Sequence, residues 1–392
     1  MLGQWVKLPK LHGRFIVRLS RRSGLLVSGI ASALVSSLML APAQAAESST
    51  ATSLANFGGL AGLERACFAE GQLNVIALPR DWANYGEVID TFIRKYPRVN
   101  VDSQNPEASS AQELAAVRQL KGSNRAPDVV DVGLAFAVVG AAEGLFTPYK
   151  VATWKDIPTG AKEKNGLYFS DYGGVIAIGY DAKKVKVAPK SIKDLGNAIY
   201  KNKVALNGNP TSAGAALGAM FAISVAAQGA KGVDNMAGGV NLVKAWKKAG
   251  TFLPVQASSA TVANGQTSIT LDWDYLQDKY ARSSSKVTWK KVIPSDAAIG
   301  GFYQQAVSKT APNPACARLW MEYLYSDQAQ NLFLAGGARP IRLDAMVKKG
   351  TANKKYLKAL PKLPAGTKVI YPSVAQQTKA RTVLSKQWGK LN

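Results

Sequence analysis

Imidazole is almost absent from this chain: among 392 residues the one histidine is His12. It stands in an opening stretch of 45 residues with six basic side chains, no acidic one, and an uncharged apolar run over 24–41 ahead of Ala43-Gln44-Ala45. Basic start, apolar middle and small-x-small end make a secretory signal peptide, with cleavage expected after residue 45. A chain cut there has no histidine, which excludes a Ser-His-Asp triad, imidazole acid–base catalysis and histidine-ligated metal. Ser20-Arg21-Arg22-Ser23-Gly24-Leu25 faintly matches a twin-arginine export signal, with Gly24 where an apolar residue is usual. No cysteine follows the apolar run, so no lipid anchor is expected; left uncleaved, the run would itself tether the protein.

Cysteine is scarce too, with Cys67 and Cys316 alone. An oxidising compartment permits one bridge between them, and the apolar helical pattern around Cys316 suits two buried thiols as well. Acidic residues number 25 against 49 basic ones. Without the six bases of the export segment, 43 against 25 leaves a formal charge of about +18. The lysines are scattered and the chain is exported, so this excess reads as a solvated surface and no nucleic-acid partner is expected. The lysines between 348 and 362 belong to that surface. No nucleophile elbow, phosphate loop or metal-ligand cluster is present. Beyond residue 41 no run approaches membrane-spanning length, and neither a repeat nor a low-complexity linker interrupts the chain. A chain of this size divides more readily into two lobes than one, joined here by strands rather than a tether.

What is present is strand–helix alternation. Short apolar runs at 73–78, 99–102, 127–133 and 203–207 read as strands, the first as a central one, each followed by a helical pattern; this predicts a parallel sheet. Residues 167–181 join an aromatic–acid turn, two glycines and a β run, and read as a strand crossing between lobes. Residues 299–307 read as a return strand, and 241–248 as an exposed basic helix. In such a fold ligands bind beyond the carboxyl ends of the strands. Asp81, Trp82 and Tyr85 fall there, although a packed loop tryptophan with Asp81 as a helix cap accounts for them equally. Asp171, Tyr172 and Tyr303 lie at the crossing and return strands. Thr211 and Ser212, at the start of an Ala/Gly-rich helix, offer bare amides to an anion or simply cap the helix.

The stretch Leu271-Asp272-Trp273-Asp274-Tyr275 carries most. Alternation along a strand puts Asp272 and Asp274 on one face and Trp273 and Tyr275 on the other. A turn there would bring carboxylate and aromatic ring together, the chemistry that holds an organic cation. The bland alternative is a buried strand end whose acids cap the next helix.

Together the export segment, these strands and loops, and Ala311-Pro312-Asn313-Pro314 with Met321-Glu322-Tyr323-Leu324 and Ser326-Asp327-Gln328-Ala329-Gln330 resemble the extracellular solute-binding proteins of ABC importers. The spermidine/putrescine, ferric-iron and phosphonate branches are most similar, and the likeness spans roughly 72–340. It implies an α/β, two-lobed periplasmic-binding-protein fold (type II) with the ligand cleft between lobes, 46–178 plus 298–392 forming one lobe and 179–297 the other. It further implies a periplasmic monomer without catalysis or cofactor, delivering a small solute to a permease and its ATPase at the inner membrane. Ferric binders of this kind carry an adjacent tyrosine pair, often with histidine, whereas Phe302-Tyr303 supplies one phenol. Polyamine binders carry several aromatics and acids, which Asp81, Trp82, Tyr85, Asp171, Tyr172, Asp272, Trp273, Asp274 and Tyr303 match. A polyamine is therefore the expected solute, with a phosphonate or other anion at Thr211 and Ser212, or iron, as alternatives. A secreted hydrolase using paired carboxylates is the enzymatic alternative.

Overall fold

A computed structural model describes residues 47–391; the expected export segment lies outside them. Strand β1 (Gln72–Ile76) runs parallel to β2 (Asn100–Gln104) with Leu73 opposite Val101. On its other side the Asp128 amide donates to the Asn74 carbonyl at 2.9 Å, which seats β3 (Val129–Gly133) beside it. All five residues of β3 are buried, as its β-branched run requires. The helix Tyr85–Lys95 follows β1 and buries Val88, Ile89 and Phe92 on one face.

The remaining strands are β4 (Phe146–Thr147), β5 (Phe169–Asp181), β6 (Val204–Leu206), β7 (Phe252–Gln256), β8 (Ile269–Trp273), β9 (Trp289–Val292), β10 (Gly300–Ser308) and β11 (Arg339–Pro340). They join β3 in one sheet of order β3-β10-β5-β8-β6-β7, with β4 on β10 and both β9 and β11 on β5. The sheet is mixed, not parallel as the alternation predicts. Pairs β6–β7 and β6–β8 are parallel, whereas β3–β10, β10–β5 and β5–β8 are antiparallel. The return strand β10 inserts between β3 and β5, which reverses direction twice and leaves β1 with β2 outside this sheet.

All thirteen residues of β5 are buried, and the strand changes partners midway. Its first half pairs β10 and β11, and from Ile176 onward it pairs β8 and β9. It covers the β run expected within 167–181, and the aromatic–acid residues expected there as a turn, Phe169 to Tyr172, are themselves strand.

Helix Gly214–Gln228 buries every residue from 215 to 226, and with the 3-10 turn that follows it is long and apolar enough to cross a membrane. Two thirds of its apolar window is buried inside the protein, so it is a core helix, and its length corrects the expectation of no such run. The helix Met236–Lys248 buries Val240, Val243 and Trp246 on one face and exposes Asn241, Lys244, Lys247 and Lys248 on the other, the basic amphipathic surface helix expected at 241–248. Cys67 and Cys316 form a disulfide that joins Leu60–Glu70 to Pro314–Leu324 and resolves the choice between bridge and free thiols. The closing helix Val374–Gln387 packs on Leu134–Ala142 and on Met236–Lys248 alike, with the Arg381 guanidinium donating to the Ala135 carbonyl and Gln376 donating to Asp234.

Candidate functional site

The carboxyl ends of β1, β2, β3, β6 and β7 open toward a cavity of about 190 Å³. Ala77 and Trp82 enter it after β1, Glu107 and Ser110 after β2, Asp131 from β3, Asn207 and Ser212 after β6, Gln256 from β7, and Tyr303 from β10. This is where an open α/β sheet presents its loops and helix starts. No lysine or arginine is among the lining residues. The backbone at its edge is strained, with Ala77, Ala83 and Asn84 at φ of 58°, 45° and 68°. Left-handed alanines cost roughly 1–2 kcal/mol each, a cost typical of segments shaped for function. The strain turns Trp82 across the cavity rim, where its indole N–H donates to the Tyr172 hydroxyl at 2.8 Å and its ring meets Tyr303 edge-on at 5.6 Å.

Asp131 is the centre of the polar network. Its Oδ2 accepts from the Tyr172 and Tyr85 hydroxyls at 2.8 and 2.9 Å, while its Oδ1, equally buried, has no partner. Burial pushes this carboxyl up to about 7, against the pull of the two phenols. Glu113, whose Oε2 accepts from the Asp131 amide, and Asp171 are held further above the usual carboxylate range, by burial first and by the Asp131 charge second. Three acids packed together away from water resist ionising together, so each carboxyl holds its proton to higher pH than a free one.

The expected site residues separate into groups. Trp82, Ser212 and Tyr303 line the cavity. Tyr85, Asp171 and Tyr172 are fully buried one layer behind it: Tyr172 stacks on Tyr303 at 5.8 Å, and Gln305 bridges Tyr85 to Asp171. Asp81 is exposed and outside the cavity lining, 3.7 Å from the buried Lys279 amine, which also lies over the Trp82 ring. Thr211 turns its hydroxyl to Asn209. Ala213 takes the N-cap position, so neither Thr211 nor Ser212 caps the helix.

The 271–275 stretch is fully enclosed. Asp272 accepts from Asn207, from the Tyr280 hydroxyl and from the Trp273 amide, and burial raises it to about 6. Asp274 pairs with Arg339 at 2.6 Å and accepts from the Val175 and Tyr275 amides. Both carboxylates are thus engaged by the protein, and both lie outside the cavity lining. Trp273 faces a second, larger space of about 630 Å³ on the other side of Tyr303, walled mainly by apolar and aromatic side chains. Strand β8 ends at Trp273, so the expected alternation stops there: Asp274 and Tyr275 lie in the turn that follows, where the Tyr275 ring stacks on Trp273 at 6.5 Å.

Asp131, Glu113 and Asn207 escaped the sequence reading. A signal existed for the first: a lone acid within the buried run Val129-Val130-Asp131-Val132 is costly unless something uses it. Glu113 sits in an amphipathic helix where an acid is ordinary, and nothing local marks it.

Three comparisons place the chain. No curated protein matches it. Among solved structures, the periplasmic binding protein P5PA is 18% identical with a TM-score of 0.64, covering 82% of this chain and 100% of that one. The periplasmic binding protein AfuA from Actinobacillus pleuropneumoniae, with exogenous fructose-6-phosphate bound, is 16% identical with a TM-score of 0.63, covering 81% and 98%. Iron-bound HitA from Pseudomonas aeruginosa is 17% identical with a TM-score of 0.57, covering 81% and 98%. At such identity these establish the fold, the two-lobed type II periplasmic-binding-protein architecture expected from the sequence. The model of the bacterial extracellular solute-binding proteins matches residues 126–362, well over half of the chain. The chain belongs to that family, the periplasmic solute-binding components of ABC importers, which carry ligands rather than convert them.

Proposed function

We propose that the protein captures a short organic diamine, of the size of putrescine, in the 190 Å³ cavity and delivers it to an inner-membrane permease and its ATPase. One observation carries this reading: Asp131 Oδ1 is a buried carboxylate oxygen without a donor, in the wall of a cavity with no basic lining residue. An ammonium group supplies both the missing hydrogen bonds and the charge that the site lacks. Glu107 and Glu113 are further acids on the lining, and Trp82 and Tyr303 offer ring surface to the methylenes between the amines. A cavity this small favours putrescine over spermidine. The acids Asp272 and Asp274 then act as internal struts rather than as ligand contacts. In this reading the protein is a periplasmic monomer cut after residue 45, and its lobes are 46–178 plus 298–392 and 179–297.

A second reading, a small anion, is favoured by the start of helix Gly214–Gln228, which opens on the cavity with no side-chain cap. Iron has less to support it: among the described residues no group of three or more His, Cys, Asp or Glu could hold a metal. A thermal-shift series of residues 46–392 with putrescine, spermidine, aminoethylphosphonate, fructose 6-phosphate and ferric citrate separates these. A solute that binds only the folded state raises the midpoint with the logarithm of its concentration. A shift with putrescine is the expected result; a shift with a phosphate or phosphonate alone refutes the diamine.

A further inference from the structure

In the proposed division, the two lobes meet at a glycine on each side. Gly133 ends β3, and Gly214 opens the helix after β6. A Cβ on Gly133 would stand 3.1 Å from the Gly214 Cα, and one on Gly214 would stand 3.3 Å from the Gly133 Cα and 3.3 Å from the Tyr303 hydroxyl. Both approaches are tighter than ordinary van der Waals contact between carbons. Neither glycine is required by its backbone: Gly133 has φ of −61°, and Gly214 is not in the left-handed region. Glycine at a helix start also forgoes the propensity that alanine would add. The one property both positions need is the missing side chain.

Two neighbouring contacts run in the same direction. The Ala111 amide, at the start of helix Ser110–Gln119, donates to the Ser212 carbonyl at 3.2 Å. Asp81 reaches Lys279 at 3.7 Å and accepts from the Ser259 hydroxyl at 3.4 Å. Gly133 and Gly214 also both line the 630 Å³ apolar space, and Gly214 and Tyr303 line both spaces, so the contact forms the partition between them.

We infer that Gly133 and Gly214 form a closure latch: a backbone-to-backbone contact that lets the lobes come together far enough to seal the small cavity from the apolar space behind Tyr303. They are positioning residues, acting on the solute through the geometry of closure. The inference rests on the interlobe reading of the site but on no particular solute. A methyl group at either position holds the lobes apart, so bound solute escapes faster while the open protein is undisturbed.

The test uses residues 46–392 with spin labels at K121C and K244C, exposed positions on opposite sides of the contact, and the Cys67–Cys316 bridge kept oxidised. Pulsed-resonance distances are recorded without ligand and with saturating putrescine, for the wild type, Gly214→Ala and the double variant Gly133→Ala/Gly214→Ala. The wild type is expected to show a closed population at the distance in the structure, which shrinks in Gly214→Ala and vanishes in the double variant. The ligand-free melting midpoint of Gly214→Ala stays level or rises, since alanine suits a first helical position better than glycine; a merely structural Gly214 would lower it. Gly133 is the N-cap of helix Leu134–Ala142, where alanine is the poorer residue, so the double variant loses at most that small cap contribution. If putrescine binds, its off-rate rises about tenfold in the double variant with little change in on-rate. Equal closed populations in all three proteins, or a wild type that shows none in either condition, overturn the latch. A wild type that closes without ligand yet ignores putrescine leaves the latch standing and removes the diamine.

Discussion

Changing the protonation of Asp131 is the sharpest perturbation of the site. Burial lifts its carboxyl to about 7, while Glu113 and Asp171 are pushed well above the usual carboxylate range by burial first and the Asp131 charge second. Tyr85, Tyr172 and Tyr303, which surround it, are raised well above their ordinary value and stay neutral. A diamine remains charged throughout and binds the ionised form of Asp131. That form is about a tenth of the protein at pH 6 and about nine tenths at pH 8. Affinity for putrescine should therefore strengthen about tenfold across this interval, about 1.4 kcal/mol. Calorimetric titration at pH 6, 7 and 8, in buffers of different ionisation enthalpy, reads both the affinity and the proton released near pH 6. Asp131→Asn keeps the shape, removes the charge, weakens binding by about 1.5–3 kcal/mol and flattens the pH profile. An affinity that is level with pH, or that falls as pH rises, refutes the reasoning. A fall is what a solute accepting a hydrogen bond from neutral Asp131 would give.

Other expected outcomes follow from the same structure. Arg339→Ala leaves the fully buried Asp274 carboxylate without its ion-pair partner, which costs about 3–5 kcal/mol and lowers the melting midpoint by several degrees; a change below one degree would mean that water takes over the role of Arg339. Replacing Cys67 and Cys316 by alanine opens a loop spanning 249 residues and should cost about 3–5 kcal/mol, read as a lower denaturation midpoint in urea. Burial raises Glu70 from 4.5 and Asp128 from 3.8 to about 7 each. A carboxyl raised on folding favours the folded state below its unfolded value and loses that advantage as pH rises to its folded value. The ligand-free midpoint should therefore decline between about pH 4 and pH 7, and a midpoint climbing through that window contradicts the assignment. Trp82→Ala removes a cavity wall and should weaken solute binding at least about tenfold, with little change in ligand-free stability because the ring is only partly buried.

The residues alone determined the periodic elements and the family, because both are local properties. Buried apolar runs such as 129–133 and 204–206 form strands as expected, and the β run of the thirteen-residue strand was legible too, although the aromatic–acid residues read as a turn at its start are themselves strand. Trp82 and Ser212 were legible as cavity-lining residues because they follow strands, where such folds open their loops; Tyr303 reaches the cavity from within β10. The rest depended on what packs against what. Asp272 and Asp274 have the composition of a cation site, but Tyr280, Asn207 and Arg339 arrive from distant positions and engage their oxygens. Asp131 has the composition of a buried strand, yet folding leaves one of its oxygens unpaired beside a cavity. A carboxylate's role is set by the donors that tertiary contacts bring within about 3 Å, and spacing along the chain does not encode those donors. The mixed sheet has the same cause: the antiparallel insertion of β10 between β3 and β5 is a long-range pairing that no local pattern announces.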